Sequence, residues 1–162
     1  MKSNNPSKNN SSFMFAPVMM KLCVMAIAIS FVWSRGYKVF VTDGVSMEPT
    51  LKSGDLIVVN KIFYDYTTVD RLDVVTIRDI EDGGYMVKRI VGMPMEVIEI
   101  LDGIIYVNGK KANFDYKIKP YRLDVKPTKV PAGCYFYIGD NMGETVWGII
   151  SDANIIGKVQ SK

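Results

Sequence analysis

The chain is apolar almost without interruption from Phe13 to Trp33, and after Val39 its apolar positions come instead in short runs separated by turn residues. At about 1.5 Å of rise per residue, a helix over the first stretch spans roughly 30 Å of hydrocarbon. That predicts a transmembrane anchor over residues 13–34. Lys21 falls inside it and can reach the near interface along its own stem. Pro17 interrupts the first half. Lys2 and Lys8 precede the stretch while Arg35 and Lys38 follow it, so charge sets no orientation. A cleaved secretory leader with its apolar core at Leu22–Trp33 is the alternative. Residues 1–12, rich in Asn and Ser, read as a disordered tail.

The later runs predict strands at Val39–Val41, Leu56–Asn60, Val74–Ile77, Tyr85–Val91, Val97–Leu101, Ile104–Val107, Tyr135–Ile138 and Ile155–Val159. Asp102-Gly103 and Asn108-Gly109 are hairpin signals, and Ser53-Gly54 and Gly83-Gly84 further turns. No segment after residue 40 carries a helical period. Residues 39–162 therefore read as one mainly β domain, a sandwich or partly closed barrel. Residues 111–130, with two prolines and few strand signals, read as an extension or loop.

Composition narrows the chemistry. The formal net charge of +3 is spread along the chain, which points away from nucleic acid. There is no histidine, so imidazole triads, Cys-His pairs and His-based zinc sites are excluded. Cys23 and Cys134 are too few for a disulfide framework or a cysteine zinc site and read as free thiols. No metal or cofactor is implied, and nothing in the sequence indicates an oligomeric state.

Proton chemistry then falls to other groups. Ser46 lies in Asp43-Gly44-Val45-Ser46-Met47-Glu48-Pro49-Thr50-Leu51, a constrained turn directly after a strand. Such a turn presents a hydroxyl well, although most serines beside Gly and Pro are simply turn residues. Lys88 lies in the apolar strand Tyr85–Val91. Burial there would favour its neutral amine, which can take a proton from a serine hydroxyl. A solvated edge-strand lysine is the alternative. Gly139-Asp140-Asn141 follows the run Tyr135–Ile138 and by itself reads as a turn.

Together these segments resemble the boxes of the bacterial type I signal peptidase family. Ser46-Met47-Glu48-Pro49-Thr50-Leu51-Lys52-Ser53-Gly54-Asp55 is similar to the nucleophile box. Arg71-Leu72-Asp73-Val74-Val75 is similar to the next, Lys88-Arg89-Ile90-Val91-Gly92-Met93-Pro94 to the lysine box, and Val130 to Asn141 to the last. The resemblance implies a serine endopeptidase with its catalytic domain outside the cell membrane. It implies cleavage of signal peptides from exported preproteins after small residues one and three positions before the cut. Ser46 becomes the nucleophile and Lys88 the general base, with the Ser46 N–H as one oxyanion donor; Gly44 stands where some relatives supply a second donor from a serine. Met47, Pro49, Asp140 and Asn141 become candidates for substrate contact.

The last box departs from the family pattern. It reads Met142-Gly143-Glu144-Thr145-Val146-Trp147-Gly148, shorter than usual, without the two arginines or the serine that orients the lysine. Thr145 is the only hydroxyl in that gap and becomes the candidate for orienting Lys88. Rival readings are a non-cleaving relative that binds signal peptides or a peptidase partner, a specialised relative acting on a few substrates such as pilin or conjugation proteins, and a self-cleaving repressor-type Ser-Lys protease. The apolar anchor speaks against the last.

Overall fold

The computed structural model describes residues 11–79, 83–116 and 118–161. Two compact units result, Met1–Gly36 and Tyr37–Lys162. The first contains helix α1, Ser11–Gly36. It starts inside the segment read as a polar tail, whose first ten residues lie outside the described ones. Within it Pro17–Gly36 has a mean hydropathy of 1.8, enough by length and composition to cross a membrane. Leu22, Ile27, Phe31 and Trp33 are all exposed. An apolar surface all round a helix suits lipid better than water.

Among the described residues the second unit has eleven strands. They are β1 (Tyr37–Val41), β2 (Leu56–Asn60), β3 (Val74–Arg78), β4 (Tyr85–Gly92), β5 (Val97–Leu101) and β6 (Ile104–Val107). The rest are β7 (Lys110–Lys111), β8 (Val125–Lys129), β9 (Cys134–Ile138), β10 (Gly148–Ser151) and β11 (Ile155–Ser161). A seven-stranded antiparallel sheet runs β1-β2-β11-β3-β4-β9-β10, and a four-stranded one runs β7-β6-β5-β8. The mainly β architecture is as expected.

Alternation along β3 explains the layering. Val75 and Ile77 pack with Ile90 and Ile150 on one side, while Val74 packs with Val87, Ile57, Val59, Met47 and Leu51 on the other. The small sheet closes a third cluster, in which Ile98, Ile100, Ile105 and Val125 meet Val91, Phe136 and Ile138.

Three strands have no counterpart in the sequence reading. β7 is a two-residue continuation of a hairpin. β8 reads Val-Lys-Pro-Thr-Lys, a polar strand with a proline, and it sits at the edge of its sheet, where proline is tolerated. β10 is an edge of the seven-stranded sheet, only four residues long and starting at glycine. Edge strands bury little, so their apolar pattern is weak.

Candidate active site

β1 delivers the chain into the turn that carries Ser46. Gly44 has φ +88°, a left-handed value that costs glycine nothing. The turn is closed by the Glu48 N–H donating to the Val45 carbonyl at 3.1 Å and the Leu51 N–H to the Met47 carbonyl at 2.9 Å. Met47 and Leu51, each 5% exposed, anchor it in the core. Ser46 is thus held on a buried apolar footing, itself half-buried.

Lys88 is not a solvated edge lysine: its part of β4 pairs with β3, and it is 4% exposed. Its Nζ donates to Ser46 Oγ at 2.7 Å. Burial pushes the amine down to about 8, with the Asp140 charge working the other way.

Arg89, next in the strand, makes a different structure. Its Nε donates to Asp140 Oδ1 at 2.7 Å and its Nη2 to Oδ2 at 2.6 Å. Nη1 donates to the Leu72 carbonyl at 2.8 Å. The Thr50 hydroxyl, from the turn that carries Ser46, also donates to Asp140 Oδ2. Asp140 is fully buried, and a buried carboxylate needs this fork of donors. The Tyr116 ring lies 4.4 Å from the guanidinium carbon on this pair.

Asn141 completes the attachment. Its N–H donates to the Ser46 carbonyl at 3.0 Å and its Nδ2 to the Val45 carbonyl at 3.1 Å. Gly139 has to be glycine, since a Cβ there would collide with the Ser46 carbonyl and Thr145 Oγ1. The chain before β8 straps this box from outside: the Lys119 N–H donates to the Asp140 carbonyl at 2.8 Å, and its carbonyl accepts from the Met142 N–H at 3.2 Å.

A cavity of about 190 Å³ opens beside Ser46 and Lys88. Its walls include Val41 and Gly44 on one side, Tyr85 and Val87 on the other, and Met47, Ile57 and Thr76. Pairing of β4 with β9 starts at Arg89, so among the described strands Tyr85–Lys88 is paired on its β3 side alone.

The residues singled out from sequence thus divide. Ser46, Lys88 and Met47 border the cavity. Asp140 and Asn141 hold the Ser46 turn from behind, and Pro49 is an exposed turn residue. The Thr145 hydroxyl accepts from the Gly139 N–H at 3.0 Å and donates to the Val146 carbonyl at 2.9 Å. Sequence reasoning missed Arg89, Thr50, Thr76 and Tyr116. The available signal was the alternation along β4, which sends Lys88 and Arg89 to opposite faces.

A serine hydroxyl bonded to a buried amine, on a β scaffold and in a chain without histidine, has the chemistry of a serine peptidase that uses lysine as its base. The family model for "Signal peptidase, peptidase S26" matches residues 14–162. Signal peptidase I of Bacillus caldolyticus is 35% identical, over 88% of this chain and 86% of that protein. Signal peptidase I V of Bacillus subtilis strain 168 is 33% identical, over 84% and 89%. A crystal structure of a signal peptidase I from Enterococcus faecalis superposes with a TM-score of 0.51 at 24% identity, over 58% of this chain and 98% of that one, which supports the fold. The chain belongs to the signal peptidase family, peptidase S26, and is a serine endopeptidase.

Proposed function

We propose that this protein is a membrane-anchored signal peptidase that cuts exported preproteins with Ser46 as nucleophile and Lys88 as general base. The hydrogen bond from Lys88 Nζ to Ser46 Oγ, at 2.7 Å, carries this reading. As the hydroxyl attacks the scissile carbonyl, the neutral amine takes its proton and an acyl-enzyme forms, with the leaving amine protonated in turn. Water then attacks the ester, again giving its proton to Lys88. The Ser46 N–H is the proposed oxyanion donor.

The half-paired segment of β4 supports binding of the preprotein as an added strand, its small side chains entering the cavity. The length and exposure of α1 support a single-pass anchor, with the β unit on the extracytoplasmic side. The test is incubation of membranes carrying the protein with a secretory preprotein. Processing is expected with the wild type and none with Ser46→Ala. A wild type that binds preproteins and cuts none of them would favour the binding-only relative instead.

A further inference from the structure

Two peptide planes meet at the Ser46 Cα, and their relative rotation is set by φ and ψ of that residue alone. One residue holds both planes. The Asn141 Nδ2 donates to the Val45 carbonyl at 3.1 Å, which belongs to the first. The Asn141 N–H donates to the Ser46 carbonyl at 3.0 Å, which belongs to the second. Asn141 is itself 2% exposed, and Asp140 before it is fixed by Arg89 and Thr50. Both donors therefore come from a well-anchored base.

The first plane also contains the Ser46 N–H. The Val45–Ser46 peptide is trans, so its carbonyl and its N–H point in opposite directions. A donor that grips the carbonyl aims the N–H away from Asn141. The Val45 carbonyl accepts a second bond, from the Glu48 N–H at 3.1 Å, so both of its lone pairs are engaged. Hydrogen bonds at a peptide oxygen polarise the whole unit and make its N–H a stronger donor. That N–H donates to no backbone carbonyl among the described residues.

We propose that Asn141 is the positioning residue of the oxyanion donor: by holding both planes it turns the Ser46 N–H and the Ser46 hydroxyl toward one substrate carbonyl. This rests on the peptidase reading above. The role needs a side chain that donates, which neither a carboxylate nor an aliphatic group does. Its effect grows as charge develops on the substrate oxygen, so it acts on the transition state and not on substrate binding.

The experiment uses the full-length protein in detergent and three peptides of one signal-peptide sequence. The first runs past the cut and can be cleaved; the others stop at it, one ending in alaninal and one in alaninol. Ser46 Oγ adds to the aldehyde carbon, its proton passes to Lys88, and the carbonyl oxygen becomes the oxyanion. The alcohol binds but has no carbonyl to attack. Asn141→Leu and the smaller Asn141→Ala both delete the side-chain bond and keep the backbone one. Each should lower kcat by about ten- to a hundredfold, a part of what a whole oxyanion donor supplies. Each should weaken the aldehyde by the same factor and leave KM and the affinity of the alcohol within about twofold. Inhibition constants do not depend on the fraction of enzyme folded, so a loss of stability alone does not move the aldehyde-to-alcohol ratio. The midpoint of activity against pH should stay that of the wild type. Variants with wild-type kcat, or with the alcohol weakened as much as the aldehyde, overturn the assignment while the peptidase reading stands. A wild type that cleaves nothing rejects the peptidase reading, and the inhibitors then decide on Asn141. A wild-type preference for aldehyde over alcohol that Asn141→Leu abolishes keeps the assignment, and the lack of one rejects it as well.

Discussion

The Lys88 amine is shut away from water against the Ser46 hydroxyl, and its protonation decides whether it can act as a base. Burial lowers it from the ordinary 10.5 to about 8. Below that value it carries a proton and cannot accept another; above it the amine is free. The expected kcat/KM therefore climbs with pH to a plateau with its midpoint near 8, and a flat profile from pH 6 to 10 counts against the base assignment. Stability follows the same group. Unfolding restores the ordinary value, so between about 8 and 10.5 the unfolded chain holds more protons, and Lys88 destabilises the fold progressively less as pH rises through that window. Lys88→Arg should be inactive, since guanidinium stays protonated. Thr145 sits one step back. Its hydroxyl bonds the Gly139 and Val146 backbone, so we propose that it supports the site by fixing the turn that carries Asp140. Thr145→Val should lower turnover by about tenfold and stability by about 1–2 kcal/mol, while Thr145→Ser keeps both. A Thr145→Val enzyme with unaltered turnover rejects that role.

Between β7 and β8 the chain crosses outside the last box and acts as a strap. Tyr116 lies on the Arg89–Asp140 pair, and the Lys119 backbone is bonded on both sides of Asn141. Since Asn141 in turn holds the Ser46 carbonyl, the strap bears on Ser46 through two links. Read from sequence, residues 111–130 are an extension or loop with two prolines and few strand signals; Phe114, Tyr116 and Ile118 do alternate as in a strand and pack with Leu123 on the cluster the small sheet closes, but among the described residues the stretch before β8 joins neither sheet. The Tyr116 hydroxyl is buried without a partner among the described residues, which makes the ring the useful part. Tyr116→Phe should leave stability and turnover as they are or slightly raise them. Tyr116→Ala should cost about 3 kcal/mol or more in thermal or denaturant unfolding and reduce kcat more than it changes KM. Equal losses in both variants would show that the ring does not support the pair.

At the level of the whole chain the physical contrast is between a helix that is apolar all round and a β unit with its own buried core. Ordinary peripheral attachment is electrostatic and is screened by salt. An apolar span of this length is held by the hydrophobic effect, which salt does not weaken. In membranes the protein should therefore resist a high-salt wash and come away with detergent. Protease added to intact, wall-stripped cells should degrade the β unit. Release of full activity by salt alone would reject the anchor, and protection from external protease would reject the proposed side.

Some of this was decided locally. The apolar span, the eight patterned strands and the Asp-Gly and Asn-Gly hairpins are short-range properties, so the sequence alone determined them. The likeness of the Ser46 and Lys88 boxes to one family was equally legible, because each box is contiguous. Tertiary structure decided the rest. Ser46 and Lys88 come from separate elements and meet at 2.7 Å only because β1, β2, β11, β3 and β4 stack in that order. Arg89, Thr50 and Asp140 stand far apart in the chain, and no periodicity announces a three-way bond among them. The hydroxyl of Thr76 looks like any strand threonine until the fold buries it without a partner among the described residues. Burial and partnership are properties of the packed chain: neighbours in sequence set the local shape, and neighbours in space set the chemistry.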